Sequence, residues 1–173
     1  MSTTTWDLAR FIAAQDGGTS SSPDLTAYQA ALNELRAGRK EGHWIWFVFP
    51  QGPFGTSERS RLYAITHPTE ALAYLRHAVL GPRLFYATRI VRDQLAAGVA
   101  PDDLMGSWID CTKLVSSMTL FEAAGEGEAQ IEFAELANDT LSLMSAAGWG
   151  RCERTLQWLK DVDARDDTTG GSR

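Results

Sequence analysis

The residues best suited to chemistry concentrate in one aromatic segment, residues 40–51. It contains two tryptophans two positions apart, Trp44 and Trp46, with Lys40, His43 and Gln51 as its polar groups. A lysine binds phosphate or carboxylate, a histidine exchanges protons near neutral pH, and an indole ring can stack on a planar base. The segment therefore predicts a pocket. The alternative is a hydrophobic core, which is favoured for the aromatic rings, since buried aromatics and hydrogen-bonded structural histidines are common.

A second segment, residues 110–121, combines an acid, a cation and two hydroxyls. On a helix, Asp110, Lys113 and Ser117 would lie on one face at i, i+3 and i+7, with Ser116 beside them. Such a face could hold a phosphate, a ribose or a carboxylate. The alternative is a solvated face, on which Asp110 and Lys113 form an exposed ion pair of little energetic weight. The spacing alone favours this alternative.

Composition limits the classes of function. The chain has 173 residues and a formal net charge of −6, which argues against general binding to a nucleic-acid backbone but allows a phosphate-bearing small molecule. No apolar run could span a membrane and the N-terminus does not resemble a secretory signal, so we expect a cytoplasmic protein without a membrane partner. Cys111 and Cys152 show no metal-ligand spacing, and no cofactor motif is present. We therefore expect neither metal nor cofactor, and the sequence does not give the oligomeric state.

Helix signals recur along the chain. They predict a mainly α-helical single domain of about six to eight helices, spanning residues 1–173. Its ordered core is expected at about residues 6–162, with a flexible polar tail at 165–173. Ser22 and Pro23 predict the start of one helix, and Asp102 or Asp103 the cap of another.

The conformation of the aromatic segment is ambiguous. As a strand, it would direct Trp44 and Trp46 to one face and Phe47 to the other. As a helix, it would place Lys40, Trp44 and Phe47 on one face. Short apolar runs fit both patterns, and the helical neighbours of the segment favour a helix or a turn.

Several stretches of the chain occur together in one known family. They include Arg36-Ala-Gly-Arg-Lys40, His43-Trp44-Ile-Trp46-Phe47-Val-Phe49-Pro50-Gln51, and Asp110 with Lys113-Leu114 and Ser116-Ser117-Met118-Thr119-Leu120-Phe121. Together they resemble the bacterial domain-of-unknown-function family eighteen-ten, over roughly residues 6–160. The resemblance implies a mainly α-helical domain with no established activity. Some members are labelled calpastatin, a label that does not suit a Trp-rich chain because calpastatin inhibitory regions are disordered.

A more distant similarity is to the NADAR family, helical proteins linked to ADP-ribose and N-glycosidic chemistry. It rests on a glutamine near the first helix, a lysine before the aromatic segment, and a later lysine followed by Met and Phe. The lysines, the acid and the rings of this chain would also suit a phosphate-bearing nucleoside.

Two hypotheses of function follow. The first is an enzyme, an N-glycosidic or ADP-ribosyl hydrolase acting on a nucleotide-like molecule, with Asp110 and His43 as catalytic residues. Asp110 would act as a base or stabilise an oxocarbenium-like centre. The second is a non-catalytic binding or interaction module with a Trp-rich structural core. In both, the candidate ligand-binding residues are Lys40, Trp44, Trp46, Gln51, Lys113, Ser116 and Ser117.

Overall fold

The computed structural model describes residues 5–20, 23–127 and 130–170. Within these ranges the chain forms ten helices and no strand, and one isolated β-bridge joins Gly18 to Thr26. The helices are α1 (Ala9–Asp16), α2 (Ala27–Arg36), α3 (Ile45–Val48), α4 (Glu58–Leu62), α5 (Pro68–Arg76), α6 (Leu80–Ala96), α7 (Pro101–Met105), α8 (Trp108–Gly125), α9 (Ile131–Ala146) and α10 (Glu153–Gly170). None of them, over the ranges given, is both long and apolar enough to cross a membrane.

The prediction of a mainly helical fold is confirmed, but the predicted number of helices is too low. The excess comes from α3, α4 and α7, which have only four or five residues each. Helices this short complete little more than one turn, so they show no apolar period in the sequence. The preference for a helix or turn in the aromatic segment agrees with α3.

The start of α2 differs from its prediction. Thr26 caps this helix in a capping box: its hydroxyl accepts from the Gln29 N–H, and the Gln29 side chain accepts from the Thr26 N–H. The reciprocal pair satisfies two backbone donors at once, which favours a start at Ala27 over one at Pro23. Ser22, the predicted cap, lies outside the described residues.

The cap predicted at Asp102 or Asp103 is also displaced. Both aspartates lie in the first turn of α7, where Pro101 occupies the first position. The capping residue of α8 is Ser107, whose hydroxyl accepts from the Asp110 N–H at 3.2 Å.

Helix α8 lies at the centre of the molecule. It packs against α3, α5, α7, α9 and α10, and residues 114–121 are all buried. A helix that is covered on all sides has no solvated stripe, so hydrogen-bond partners for its hydroxyls can come only from inside the protein. Thr119, for example, donates to the Val115 carbonyl at 2.7 Å and accepts from the Cys152 N–H at 3.1 Å. The solvated face that the spacing favoured is therefore limited to the first turns of α8.

Helix α10 continues into the region where the sequence predicts a flexible tail. Residues 165–170 belong to this helix, and residues 171–173 lie outside the described ranges. The Thr168 hydroxyl donates to the Arg165 carbonyl at 2.7 Å, and Asp166 Oδ2 lies 3.4 Å from His67 Nε2. The polar composition that suggested a tail also suits a helix with most of its surface in solvent.

Candidate functional site

Backbone contacts hold the aromatic segment against the start of α8. The Lys40 N–H donates to the Leu104 carbonyl at 2.8 Å. Gly106 lies against the same lysine: its φ is +75°, and a Cβ at this position would lie 2.7 Å from the Lys40 carbonyl oxygen. Glycine meets both the conformational and the steric demand. The turn between α7 and α8 thus places Lys40 beside the first turn of α8.

Glu34 of α2 organises the loop that precedes α3. Its Oε2 accepts from the N–H groups of Glu41 at 2.8 Å and Gly42 at 2.9 Å. The same oxygen accepts from the indole N–H of Trp44 at 2.7 Å. Three bonds to one carboxylate oxygen fix both the loop and the ring. With 3% of its surface exposed, Trp44 is a core residue that has one polar anchor.

Lys40, Asp110 and Lys113 form an ionic cluster. Lys40 Nζ lies 2.6 Å from Asp110 Oδ2, and Lys113 Nζ lies 3.0 Å from Asp110 Oδ1. Lys40 also donates to the Gly42 carbonyl at 2.6 Å. The Lys40 side chain is 5% exposed, and that of Lys113 is 21% exposed. Two cations around one anion give the cluster a net positive charge, and Lys113 is its more accessible end.

The two lysines determine the charge of Asp110. Burial alone would raise the pKa of its carboxyl group, but hydrogen bonds and charges from Lys40 and Lys113 together outweigh burial and lower that pKa. A carboxylate with a lowered pKa is a weaker proton acceptor, which opposes a role as general base. The arrangement suits a fixed negative charge that orients two ammonium groups.

Each tryptophan ring of the segment is covered by a cation. Lys40 Nζ lies 5.0 Å from the centre of a Trp44 ring, and Lys113 Nζ lies 4.2 Å from that of Trp46. The guanidinium carbon of Arg59 also lies 5.3 Å from the centre of a Trp46 ring. These cation–π contacts use ring faces that a stacked base would need. The geometry therefore does not support stacking of a base on Trp44 or Trp46.

A small recess, which we call the anion recess, lies beside Lys113. It has a volume of about 70 Å³ and is lined by Trp46, Gln51, Gly52, Gly55, Ser60, Tyr63 and Lys113. Gly55 approaches Ser60 so closely that an added Cβ would overlap the serine side chain. Phe54, between the two glycines, packs edge-on against Trp158 of α10. The recess has room for a phosphate or carboxylate group but not for a whole nucleotide.

A second cavity, which we call the large cavity, shares Tyr63 with the anion recess. Its volume of about 390 Å³ falls within the range of small-molecule sites. One part of its wall consists of small residues of α1 and α2, namely Ala14, Ala27 and Ala30. Another part consists of aromatic and charged residues, namely Glu34, His43, Trp44, Phe47, Arg59 and Tyr63. Its remaining lining comes from the loops at Gly18, Thr19, Ser20 and Gly42.

Residues 5–140 match the family model described as a protein of unknown function, DUF1810. The chain belongs to this family. A similar solved structure is the conserved hypothetical protein Rv1873 from Mycobacterium tuberculosis, with 38% sequence identity and a TM-score of 0.69. The similarity covers 89% of this chain and 96% of that one. No curated protein matches the chain significantly, and the similarity to NADAR stays a prediction.

In this DUF1810 protein, most of the predicted site residues come together. Lys40 of the aromatic segment contacts Asp110 of α8, and the rings of Trp44 and Trp46 lie beside the two lysines. Gln51 lines the anion recess together with Trp46 and Lys113. The structure thus joins the two segments that the sequence singled out. Their roles toward a ligand stay predictions.

Three predicted residues lie elsewhere. His43 is exposed at the large cavity, and within the described ranges it forms no hydrogen bond or ion pair with Asp110. The Ser116 hydroxyl pairs with the Thr155 hydroxyl of α10 at 3.0 Å, so it serves helix packing. The Ser117 hydroxyl is buried and has no hydrogen-bond partner among the residues that the structure describes. The geometry supports neither a His43–Asp110 catalytic pair nor a ligand contact by Ser116.

The sequence did not reveal three residues that shape the site: Glu34, Arg59 and Tyr63. Glu34 looked like an ordinary polar residue of α2, because its partners lie on a loop seven to ten positions later. Arg59 lies on α4, too short to show a period. The one local signal was Ser57, which caps α4 by accepting from the Ser60 N–H.

Removing Lys40 should change how stability depends on pH. Because the folded protein lowers the pKa of Asp110, this carboxylate stabilises the fold above its unfolded pKa of about 4, and the stabilisation is lost as pH falls through the folded pKa. We expect Lys40→Met to reduce the free energy of unfolding by about 2 kcal/mol near neutral pH, and by less in acid. Urea unfolding between about pH 3 and pH 7 measures this.

The matched control is Lys160→Met, which removes an exposed lysine of α10. It should behave like the wild type at every pH. If the effect of Lys40→Met were constant across the same range, Asp110 would not be the group that Lys40 stabilises.

Proposed function

We propose that the protein binds a small molecule carrying a phosphate or carboxylate group, and that this anionic group lies in the anion recess. One observation carries the proposal: Lys113 is the more accessible end of a net positive cluster and lines a cavity of suitable size. Nucleotide-like and ADP-ribosyl molecules are the proposed class of ligand. Because the cluster contains only one pair of lysines, its positive charge is small and suits a single small anion better than a polyanion.

The two lysines have different tasks in this proposal. Lys40 is nearly fully buried and directs its ammonium group to Asp110 and to the Gly42 carbonyl. Lys113 has three N–H donors, of which Asp110 accepts one and the Trp46 face covers part of the rest. At least one donor is left for an anion in the recess. Asp110 is then a positioning residue that fixes the direction of the Lys113 ammonium.

Binding is better supported than catalysis. A hydrolase that uses Asp110 as a base would need a carboxylate able to accept a proton, whereas this one has a lowered pKa and two lysine partners. His43, the other candidate, lies at the large cavity. We therefore propose a non-catalytic binding module.

A thermal-shift measurement with inorganic phosphate, AMP and ADP-ribose tests the proposal. At about 100 times its dissociation constant, a ligand raises the free energy of unfolding by about 2.7 kcal/mol, which gives a readily measured rise in Tm. We expect Lys113→Ala to abolish the rise that inorganic phosphate gives, while changing the stability of the unliganded protein by about 1 kcal/mol or less.

Lys160→Ala is the matched control, since it removes a lysine that lines neither cavity and lies exposed on α10. It should keep the full response. The proposal is wrong if none of the three compounds raises Tm, or if the response to inorganic phosphate persists in Lys113→Ala.

A further inference from the structure

The large cavity is lined by Glu34, whose Oε1 accepts no hydrogen bond from the residues that the structure describes. All three N–H groups that bind Glu34 approach its Oε2. Within the described part of the chain, no donor is bonded to Oε1, and Glu34 lines the cavity. A carboxylate accepts hydrogen bonds and donates none. A ligand group that meets this oxygen should therefore carry an N–H or O–H donor.

The same cavity also has a cation, Arg59. Arg59 lines it, and the guanidinium forms no ion pair with any carboxylate of residues 5–20, 23–127 and 130–170. The guanidinium carbon lies 5.3 Å from the centre of a Trp46 ring, and Trp46 lines the anion recess. Arg59 and Tyr63 thus lie where the two cavities adjoin. A negatively charged ligand group near this boundary would meet Arg59 on one side and Lys113 on the other.

The remaining walls suit a flat ring. Phe47 and Tyr63 contribute aromatic surface, with their ring centres 5.4 Å apart in an edge-on arrangement. Ala14, Ala27 and Ala30 contribute short side chains, which leave the cavity open. Apolar walls with a few convergent polar groups are typical of small-molecule sites.

We infer that the large cavity binds the amino-substituted base of a nucleoside phosphate, whose phosphate group lies in the anion recess. The position of the phosphate rests on the proposed function, whereas the position of the base rests on Glu34 and the cavity walls alone. The exocyclic amine of the base donates to Glu34 Oε1. Arg59 lies beside the path between base and phosphate.

Glu34→Gln gives a sharp test of the base contact. The three N–H groups at Oε2 require an oxygen there, so the amide of Gln must place its oxygen on that side and its NH₂ in the place of Oε1. This exchange replaces an acceptor by a donor at the cavity. Wild type should prefer adenosine, which has an amine, over inosine, which has a keto oxygen, and Glu34→Gln should reverse that preference.

The affinities are measured by titration followed by NMR, using the indole N–H resonance of Trp44, which is assigned with Trp44→Phe. This N–H is bonded to Glu34 and should shift when adenosine binds. Ala14→Leu extends a half-buried residue into the cavity. We expect it to weaken the affinity for adenosine at least about tenfold and to leave the affinity for inorganic phosphate unchanged. Lys113→Ala should weaken the affinity for AMP by at least about tenfold and leave the affinity for adenosine unchanged.

The two sites can fail separately. If phosphate binds through Lys113 but adenosine at 5 mM does not shift the Trp44 resonance, or binds no better than inosine, the inference is overturned and the proposed function stands. If adenosine binds as described but phosphate does not bind and Lys113→Ala leaves AMP affinity unchanged, the base site stands and the anion recess does not. Comparison of adenosine with inosine on the wild-type protein needs no variant, so a variant that fails to fold does not remove the test.

Discussion

We expect Trp44→Ala to lower the free energy of unfolding by about 3–5 kcal/mol, as large-to-small aromatic substitutions in a core do. Trp44 is 3% exposed, and its ring packs near Phe49. Its indole N–H is also one of the three donors to Glu34. Truncation therefore removes a large apolar contact and a hydrogen bond to a charged group. Urea unfolding followed by far-UV circular dichroism measures the change.

Trp108→Ala is the matched control for this prediction. Trp108 begins α8 and is 66% exposed, so its truncation should change the free energy of unfolding by about 0.5 kcal/mol or less. Its backbone carbonyl, which accepts from Thr112, stays in place. Equal effects of the two substitutions would contradict the assignment of Trp44 to the core. They would restore the hypothesis that its ring is a ligand platform.

Much of the fold could be predicted from the sequence because its helix signals are local. Pro68 occupies the first position of α5, where proline is favoured, and Gly98 follows α6 with a positive φ of 93°. A cap is harder to predict when several residues compete. Thr26 caps α2 because Gln29 completes its reciprocal pair, a condition that a single Ser–Pro signal does not reveal.

The candidate site could be predicted only in part. Two short segments could be singled out because unusual side chains cluster in them, and Lys40 of one segment contacts Asp110 of the other. Their division of tasks could not be predicted, because it depends on burial: Lys40 is enclosed, while Lys113 lines a recess. The sequence predicted Ser116 at the site because helical spacing does not show that α10 covers this residue.

Contacts between residues that are far apart in the chain could not be predicted from local sequence patterns. Gln15 shows this: its side chain donates to the Phe47 carbonyl at 2.8 Å and to the Tyr74 hydroxyl at 3.1 Å. Its side-chain oxygen accepts from Arg83 at 3.2 Å. One buried amide therefore links α1, α3, α5 and α6. No sequence signal within a few residues of Gln15 predicts these partners.

The ion pair between Arg10 and Glu70 is another such contact, and we expect Glu70→Ala to lower the free energy of unfolding by about 3–5 kcal/mol. Glu70 is 2% exposed, and its Oε1 accepts from Arg10 at 2.7 Å. Its Oε2 accepts from the N–H and the hydroxyl of Thr66 at 2.8 and 2.9 Å. The Arg10 side chain is 17% exposed, and removal of the carboxylate leaves its guanidinium without an anion. Equilibrium urea unfolding measures the loss.

The cost should come from the groups left unpaired, and two comparisons separate it from simple loss of attraction. Glu122→Ala breaks the more exposed pair with Arg151 and should cost about 1 kcal/mol or less. Arg10→Met combined with Glu70→Met removes both charges and should recover part of the stability that Glu70→Ala loses, because no buried charge is then left alone. If the double variant were less stable than Glu70→Ala, the other hydrogen bonds of Arg10 would contribute more to stability than its unpaired charge costs. Arg10 also donates to the Ala64 carbonyl at 2.9 Å, and the loss of this bond in the double variant should limit the recovery.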